Sequence, residues 1–142
     1  MTNAALVARK LAVLDDHLQR LRRRRPKSLA ALQADQLVQD AMAMSVLVVV
    51  QEAMDIALHI ASDEGWELAS TFREAFGILA NHGVIDPALA LSLAGTANLR
   101  NRIAHGYASI DVARVWNELP GGIAAFDAFA AAIAAFLARV DG

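Results

Sequence analysis

Cysteine is the first residue type that this sequence lacks. None of its 142 residues is a cysteine, which excludes disulfide bonds, thiolate metal ligands and a cysteine nucleophile. The first residues also lack the basic and then apolar pattern of a secretory signal peptide. This composition is compatible with a reducing compartment, and we predict a cytoplasmic protein.

Long apolar runs are lacking as well. The most apolar run, residues 41–50, lies between Gln39-Asp40 and Gln51-Glu52. It is far shorter than the roughly 20 residues that a helix needs to span a bilayer. We therefore predict a soluble protein with no membrane partner.

Proline, glycine and strand-like patterns are scarce. The sequence has three prolines and eight glycines, and its valines and isoleucines do not alternate regularly with polar residues. Hydrophobic residues make up 56% of it and charged residues only 20%. We predict one all-α domain over residues 1–142, an up-and-down bundle of about five to six helices. Part of the apolar excess is expected to face a second copy of the chain.

Apolar spacing and capping residues predict where the helices begin and end. The predicted helices cover residues 4–24, 34–64, 70–82, 88–105 and 112–119, with a last helix after Pro120-Gly121-Gly122. Ser70 is the predicted N-cap of the third helix, and Gly65 closes the second. Because residues 41–50 are apolar on every side, we predict that they form the buried centre of the bundle. Pro120 is expected to interrupt its helix.

A polar strip follows the apolar centre of the second helix. Glu52, Asp55 and His59 recur at spacings that place them on one helix face. We interpret them as a strip covered by other helices or by water. In the alternative interpretation, the two acids pair with Arg100 or Arg102 and orient a site. A dimetal carboxylate site is less favoured, because it needs Glu-x-x-His pairs from two helices.

Positive charge is concentrated near the start of the chain. The net charge is −2, yet the first helix ends in the run Arg20 to Arg25, which is interrupted only by Leu21. We interpret the run as a solvated helix end whose cations complement the negative end of the helix dipole. Beside a site that cleaves phosphodiesters, it would instead become a guide for the substrate.

The stretch Leu99–Tyr107 is where polar groups able to do chemistry crowd together. On a helix, Asn98, Asn101 and His105 share a face, and Arg100 lies about 140° from His105. The helix dipole in the last turn favours the protonated imidazole. Histidine can move protons at cellular pH, and arginine can stabilise a charged phosphoryl group, so the pair suits metal-free RNA cleavage.

One helix cannot surround a substrate with so few groups. Two copies of the chain that face each other across a two-fold axis present each residue twice. We therefore predict a homodimer with the site in a cleft between protomers. Arg100 and His105 are the candidate catalytic residues, and Asn98, Asn101 and Arg102 are the supporting ones.

The segment Arg100-Asn101-Arg102-Ile103-Ala104-His105-Gly106-Tyr107, followed by Ile110-Asp111, resembles the signature of the HepT-like family of HEPN domains. That signature is Arg-x4-His-x-Tyr. The resemblance extends to three segments upstream, Gln51–Ala57, Phe72–Leu79 and His82–Ile85, and covers most of the chain from Gln51 to Val115.

The resemblance implies a helical HEPN homodimer and a metal-independent endoribonuclease that needs no cofactor of its own. It also implies the toxin of a type VII toxin–antitoxin pair. The partner would be a minimal nucleotidyltransferase of the MntA type, which uses ATP to attach AMP to Tyr107 and so inactivates the toxin. The alternative is a non-catalytic HEPN module that docks a nucleotidyltransferase or binds a nucleotide. A purely structural helical assembly would leave the polar cluster unexplained.

Overall fold

The computed structural model describes residues 1–105 and 111–141, without the side chains of Ala104, His105 and Asp141. The described residues form α-helices and no strands, which confirms the all-α prediction. The helices are α1 (Ala4–Arg24), α2 (Leu29–Gln33), α3 (Gln36–Asp63), α4 (Phe72–Asn81), α5 (Pro87–His105) and α6 (Val112–Asp141). Predictions about Tyr107 and about the side chain of His105 lie outside the described residues.

Four long helices form the bundle, with α3 at its centre. α3 contacts each of the other helices, and α6 also contacts α1 and α5. Within the described residues α1 and α5 do not touch, so they lie on opposite sides of the α3–α6 pair. The short helix α4 packs on α3 and α5, and α2 packs on α3 and α6.

The ends of four helices meet at one end of the bundle. α1 and α3 are antiparallel, because Thr2 contacts Glu64 and His17 contacts Ser45. A cavity of about 250 Å³ is lined by residues that include Leu32, Met42, Ile103 and Val115. The C-terminal ends of α1 and α5 therefore lie at the same end as the N-terminal ends of α3 and α6. We call this the His105 end.

The second predicted helix, residues 34–64, begins differently in the structure. It begins at Gln36, and the short helix α2 precedes it in a segment where no helix was predicted. The carboxylate of Asp35 accepts a hydrogen bond from the Val38 amide at 3.2 Å. Aspartate is a preferred N-cap, so it starts a new helix here. The predicted stop at Gly65 is confirmed, since this glycine has a φ of +71°, which favours a residue without a Cβ.

The N-cap of α4 is Thr71 and not the predicted Ser70. The Thr71 hydroxyl accepts a hydrogen bond from the Glu74 amide at 3.1 Å, and the Glu74 carboxylate accepts one from the Ser70 amide at 2.7 Å. This reciprocal arrangement is close to a capping box. Ser70 is thus satisfied through its backbone, and its hydroxyl does not cap the helix.

α6 runs through Pro120, so the predicted interruption is wrong. An interior proline costs a helix roughly 3 kcal/mol. The side chains of Leu119 and Phe126 lie in the core at 2% and 5% exposure, and each buried side chain of this size contributes roughly 1.5–3 kcal/mol. Burial on both sides of Pro120 is therefore enough to keep the helix continuous.

The prediction that residues 41–50 are buried on every side is also wrong. Val46, Val49 and Val50 are buried, but Met44 is 58% exposed and Leu37, one turn before this run, is 81% exposed. By length and composition alone, both α3 and α6 could cross a membrane. The length of the apolar run at residues 41–50 therefore underestimates how long and apolar α3 and α6 are. In the structure, α3 is the central helix of the bundle and packs against all of its neighbours.

Candidate functional site

α5 carries the polar stretch to the His105 end. Pro87 is its first residue, where the missing amide hydrogen costs nothing, and the Ala90 amide donates to the Asp86 carbonyl at 3.0 Å. Leu93 and Leu99 anchor α5 in the core. The described part of α5 reaches His105, and the predicted stop at Gly106 lies outside the described residues. Arg100, Asn101 and Arg102 therefore lie in the last two turns.

Arg100 lines an open groove between α3 and α5. The groove has a volume of about 310 Å³ and is lined by Leu47, Val48, Gln51, Glu52 and Arg100. Nη1 of Arg100 is 3.4 Å from Oδ1 of Asn101, the distance of a weak hydrogen bond. Among the described residues, no carboxylate lies within ion-pair distance of the Arg100 guanidinium. Its charge is thus presented to a groove whose other charged lining residue, Glu52, lies 3.8 Å from Lys10.

The acids of the polar strip pair with α1 and not with the arginines of α5. Nζ of Lys10 lies 3.4 Å from Oδ2 of Asp55 and 3.8 Å from Oε2 of Glu52. The structure therefore favours the interpretation of a strip covered by a neighbouring helix over the orientation of Arg100. In the described part of the chain, no group of His, Asp and Glu side chains could hold a metal ion.

Arg102 and Asn98 line a different groove, between α5 and α6. Nη2 of Arg102 donates to Oε2 of Glu118, and Nε of Arg114 donates to Oε1 of the same carboxylate at 3.1 Å. Asn98 is exposed in the same groove. Because Arg100 and Arg102 are about 200° apart around the helix, the structure does not bring Asn98 and Arg102 together with Arg100.

The backbone of His105 completes the last turn of α5, one turn after Asn101. The predicted sharing of a helix face by Asn98, Asn101 and His105 stays a prediction, because the side chain of His105 is outside the described residues. Asn101 is exposed and contacts Arg100. The structure thus brings Arg100 and Asn101 into contact in the turn that precedes the backbone of His105. The side chain of His105 and the whole of Tyr107 lie outside the described residues.

The arginine run at the end of α1 is partly engaged. Arg20 pairs with Asp16 at 2.8 Å, and Arg22 pairs with Asp127 of α6. The guanidinium of Arg25 lies over the ring of Trp116, 4.5 Å from its centroid. The contacts of Arg22 and Arg25 fasten the last turns of α1 to α6.

The contact between His17 of α1 and Ser45 of α3 is one that sequence reasoning missed. Its Nδ1 lies 3.1 Å from Oγ of Ser45. Burial, followed by the positive charge of Arg20, lowers the pKa of His17 below its ordinary value. It is therefore mainly neutral near pH 7. No sequence signal links two residues on different helices, whereas the Arg114–Glu118 pair has the readable spacing of four residues.

Comparison with known proteins identifies the family. The profile of the family described as ribonuclease HepT-like matches residues 14–133, most of the chain. No curated protein sequence matches the chain significantly.

Solved structures match the fold over nearly the full chain. A tri-AMPylated HEPN toxin of Shewanella oneidensis, in complex with an MNT antitoxin, is 21% identical, with 95% of this chain and 99% of that chain covered and a TM-score of 0.84. A toxin–antitoxin complex with AMP-PNP is 20% identical, with coverage of 94% and 99% and a TM-score of 0.81. YutE of Bacillus subtilis, described as a cytosolic protein of unknown function, is 11% identical, with coverage of 96% and 91% and a TM-score of 0.83. These likenesses confirm the predicted HEPN-like bundle.

Proposed function

Because this chain belongs to the ribonuclease HepT-like family, we propose that it is an endoribonuclease and the toxin of a toxin–antitoxin pair. The observation that carries the proposal is the setting of Arg100. Its guanidinium lies in the α3–α5 groove without an acidic partner among the described residues, on the helix that ends at His105. An arginine that no carboxylate neutralises offers its planar donors to a phosphate group.

The proposed reaction uses the RNA's own 2′-hydroxyl as the nucleophile. A base removes its proton, the 2′-oxygen attacks phosphorus, and the bond to the 5′-oxygen breaks as that oxygen receives a proton. His105 is the proposed acid–base group, since histidine changes protonation near cellular pH. Arg100 stabilises the negative charge that develops on the phosphoryl oxygens. Neither role needs a metal ion or a cofactor.

A second copy of the chain would complete the site. The groove of Arg100 is bordered on α3 by Leu47 and Val48, and Met44, one turn away, is 58% exposed. An exposed apolar face beside a catalytic group favours a homodimer whose two-fold axis brings two Arg100–His105 pairs together. The dimer cleft then holds the RNA between the protomers.

Modification of Tyr107 is the proposed means of control. The Shewanella relative is described as AMPylated and bound to an MNT antitoxin. By analogy, an MntA-type nucleotidyltransferase would use ATP to attach AMP to Tyr107, two residues after His105. Each AMP adds negative charge and bulk next to a phosphate-binding groove, and both oppose RNA binding. We place the pair in the cytoplasm, as YutE is described.

RNA cleavage in excess EDTA tests the proposed function. The native chain is expected to cleave RNA, and His105→Ala is expected to reduce the rate about 100- to 10,000-fold, the usual contribution of acid–base catalysis. Arg73→Ala removes an exposed arginine of α4 and is the control. Equal cleavage by the native chain and His105→Ala would overturn the assignment, and no cleavage by the native chain would favour the non-catalytic binding module.

The same preparation tests the control by AMP. After incubation with the nucleotidyltransferase and ATP, we expect a mass increase of one or more AMP groups on Tyr107 and the loss of cleavage. Tyr107→Phe should stay unmodified and active. A native chain that gains no mass from a demonstrably active partner would contradict the modification.

A further inference from the structure

The arginine run at the end of α1 contains cations that the structure leaves exposed. Three of its arginines are engaged, Arg20 with Asp16, Arg22 with Asp127 and Arg25 with the Trp116 ring. Arg23, Arg24 and Lys27 are exposed, and none of them has an ion-pair partner among the described residues. We call Arg23, Arg24 and Lys27 the α1 basic surface.

This surface lies at the same end of the bundle as the candidate site. Leu21 and Leu99 line one small apolar cavity, so the last turn of α1 is level with the motif on α5. Arg25 rests on Trp116 and Arg102 pairs with Glu118, and these two partners are two residues apart on α6. Two residues correspond to about 3 Å along a helix axis. Arg25 of α1 and Arg102 of α5 therefore contact α6 at nearly the same position along its axis.

Between the α1 basic surface and α5, the described surface carries charges of both signs. Arg114 stands on α6, and the carboxylate of Glu118 contacts both Arg102 and Arg114. One carboxylate shared by two guanidinium groups leaves a net positive charge. Asp111, exposed at the start of α6, balances the remaining charge, so among the described residues on the α6 side of α5 the unpaired cations at this end are those of the α1 basic surface.

The character of the α1 basic surface favours a polyanion over a protein partner. Specific protein interfaces have an apolar core. The large exposed apolar side chains of the described residues are Met1, Val13, Leu37, Met44, Leu68 and Leu91. None of them belongs to the segment from Arg20 to Ser28, where Leu21 is buried. Clustered arginines without apolar neighbours are typical of surfaces that neutralise nucleic-acid phosphates.

We propose that Arg23, Arg24 and Lys27 bind backbone phosphates of the RNA substrate outside the catalytic groove, without regard to base sequence. The identity of the ligand rests on the proposed ribonuclease function. The surface holds a strand that continues beyond the scissile phosphate, so it contributes to the affinity for long RNA and leaves the chemical step unchanged.

Salt dependence of RNA binding tests this proposal. The probe is a single-stranded 2′-O-methyl RNA of about 20 nucleotides, which cannot be cleaved through a 2′-hydroxyl, with binding measured by fluorescence anisotropy between 50 and 200 mM salt. Each phosphate contact on a single strand contributes about 0.7 to the slope of log K against log salt. Arg23→Gln/Arg24→Gln should therefore lower the slope by about 1.4 and weaken binding roughly 10- to 25-fold at 0.1 M salt. Adding Lys27→Gln should lower the slope by about 0.7 more.

The matched control is Arg9→Gln/Arg139→Gln, which removes the same charge from exposed positions far from the His105 end. Arg9 precedes Arg23 by about 21 Å along α1, and Arg139 lies in the last turn of α6. The control should keep the native slope and affinity. An unchanged slope in Arg23→Gln/Arg24→Gln, or an equal decrease in the control, would overturn the proposal.

Cleavage assays separate this proposal from the proposed function. Arg23→Gln/Arg24→Gln should cleave a dinucleotide at the native rate and lose activity only on long RNA. If the native chain binds RNA through this surface but cleaves none, the result supports RNA binding by the basic surface and contradicts the ribonuclease assignment. If it cleaves RNA and the double variant binds and cleaves normally, the ribonuclease assignment stands and the basic surface falls.

Discussion

The two sides of α5 present arginines in opposite electrostatic settings. On the α3 side, Arg100 lies in an open groove and contacts only the Asn101 amide among described side-chain acceptors. On the α6 side, Arg102 shares the Glu118 carboxylate with Arg114. Two neighbouring positions of one motif thus have different tasks. In the proposed function Arg100 binds the phosphate group, whereas Arg102 joins α5 to α6 through Glu118.

Arg100 and Arg102 are expected to differ most in their contribution to catalysis. Arg100→Gln removes a cation that stabilises the phosphoryl group, so kcat/KM on RNA should fall about 100- to 1,000-fold, as for other electrostatic stabilisers of a transition state. Arg102→Gln removes a partly exposed ion pair, and such pairs contribute less than about 1 kcal/mol. Its kcat/KM should therefore fall less than about tenfold. Equal losses in the two variants, measured in EDTA, would contradict the division of tasks.

The next largest effect is expected in the free energy of unfolding, at the buried residues of α5 that lie between its two sides. Ile103 is buried at 3% exposure one turn after Leu99. Ile103→Ala should lower the free energy of unfolding by roughly 2–5 kcal/mol, because it removes buried methyl groups and enlarges an existing cavity. Leu91→Ala, at a position 62% exposed on the same helix, should change it by less than about 0.5 kcal/mol. Urea denaturation compares them, and similar losses would show that α5 is packed differently.

The two sides should also differ in dimer formation. Met44 lies on α3 near the Arg100 groove, and Leu91 lies on α5 about 180° away from Arg100. If the dimer forms over the α3 side, Met44→Glu should weaken it roughly 10- to 100-fold, the equivalent of losing the burial of one apolar side chain. Leu91→Glu carries the same new charge and should leave it intact. Sedimentation velocity measures both, and dissociation by Leu91→Glu alone would move the interface to the α6 side.

The sequence was sufficient for α1, α5 and the end of α3, and for the angular positions along α5, but it did not predict α2. Periodicity predicted α1 and α5 closely, and Gly65 closes α3 because a positive φ there disfavours other residues. It was not sufficient for α6, because the stabilisation from side chains buried around Pro120 depends on contacts with other helices. Nor did the apolar run in α3 reveal which of its sides lacks a neighbour, and Met44 is exposed for that reason.

The candidate site could be predicted only as far as local spacing reaches. The angle of about 200° between Arg100 and Arg102 follows from helix geometry. Their partners come from other helices, and nothing in the motif indicates that Glu118 neutralises one and not the other. Nor does the motif indicate that Lys10 of α1 pairs with Glu52 and Asp55, the two acids that could have paired with the arginines of α5. The roles of His105 and Tyr107 stay predictions.

The smallest expected difference lies in the ion pairs themselves. Glu118→Gln removes the charge that two arginines share, and its side chain is 38% exposed. Because solvent screens such pairs, we expect a loss of about 0.5–1 kcal/mol in the free energy of unfolding at low salt. Asp16→Asn, which breaks the more exposed pair with Arg20 on α1, should cost about 0.3–0.5 kcal/mol. Both losses should shrink at 1 M salt, where the Debye length is about 3 Å.

A loss in Glu118→Gln that is above about 2 kcal/mol and insensitive to salt would mean that Arg102 behaves as a buried charge. Removal of the Glu118 charge would then disturb the Arg100 side of α5 as well.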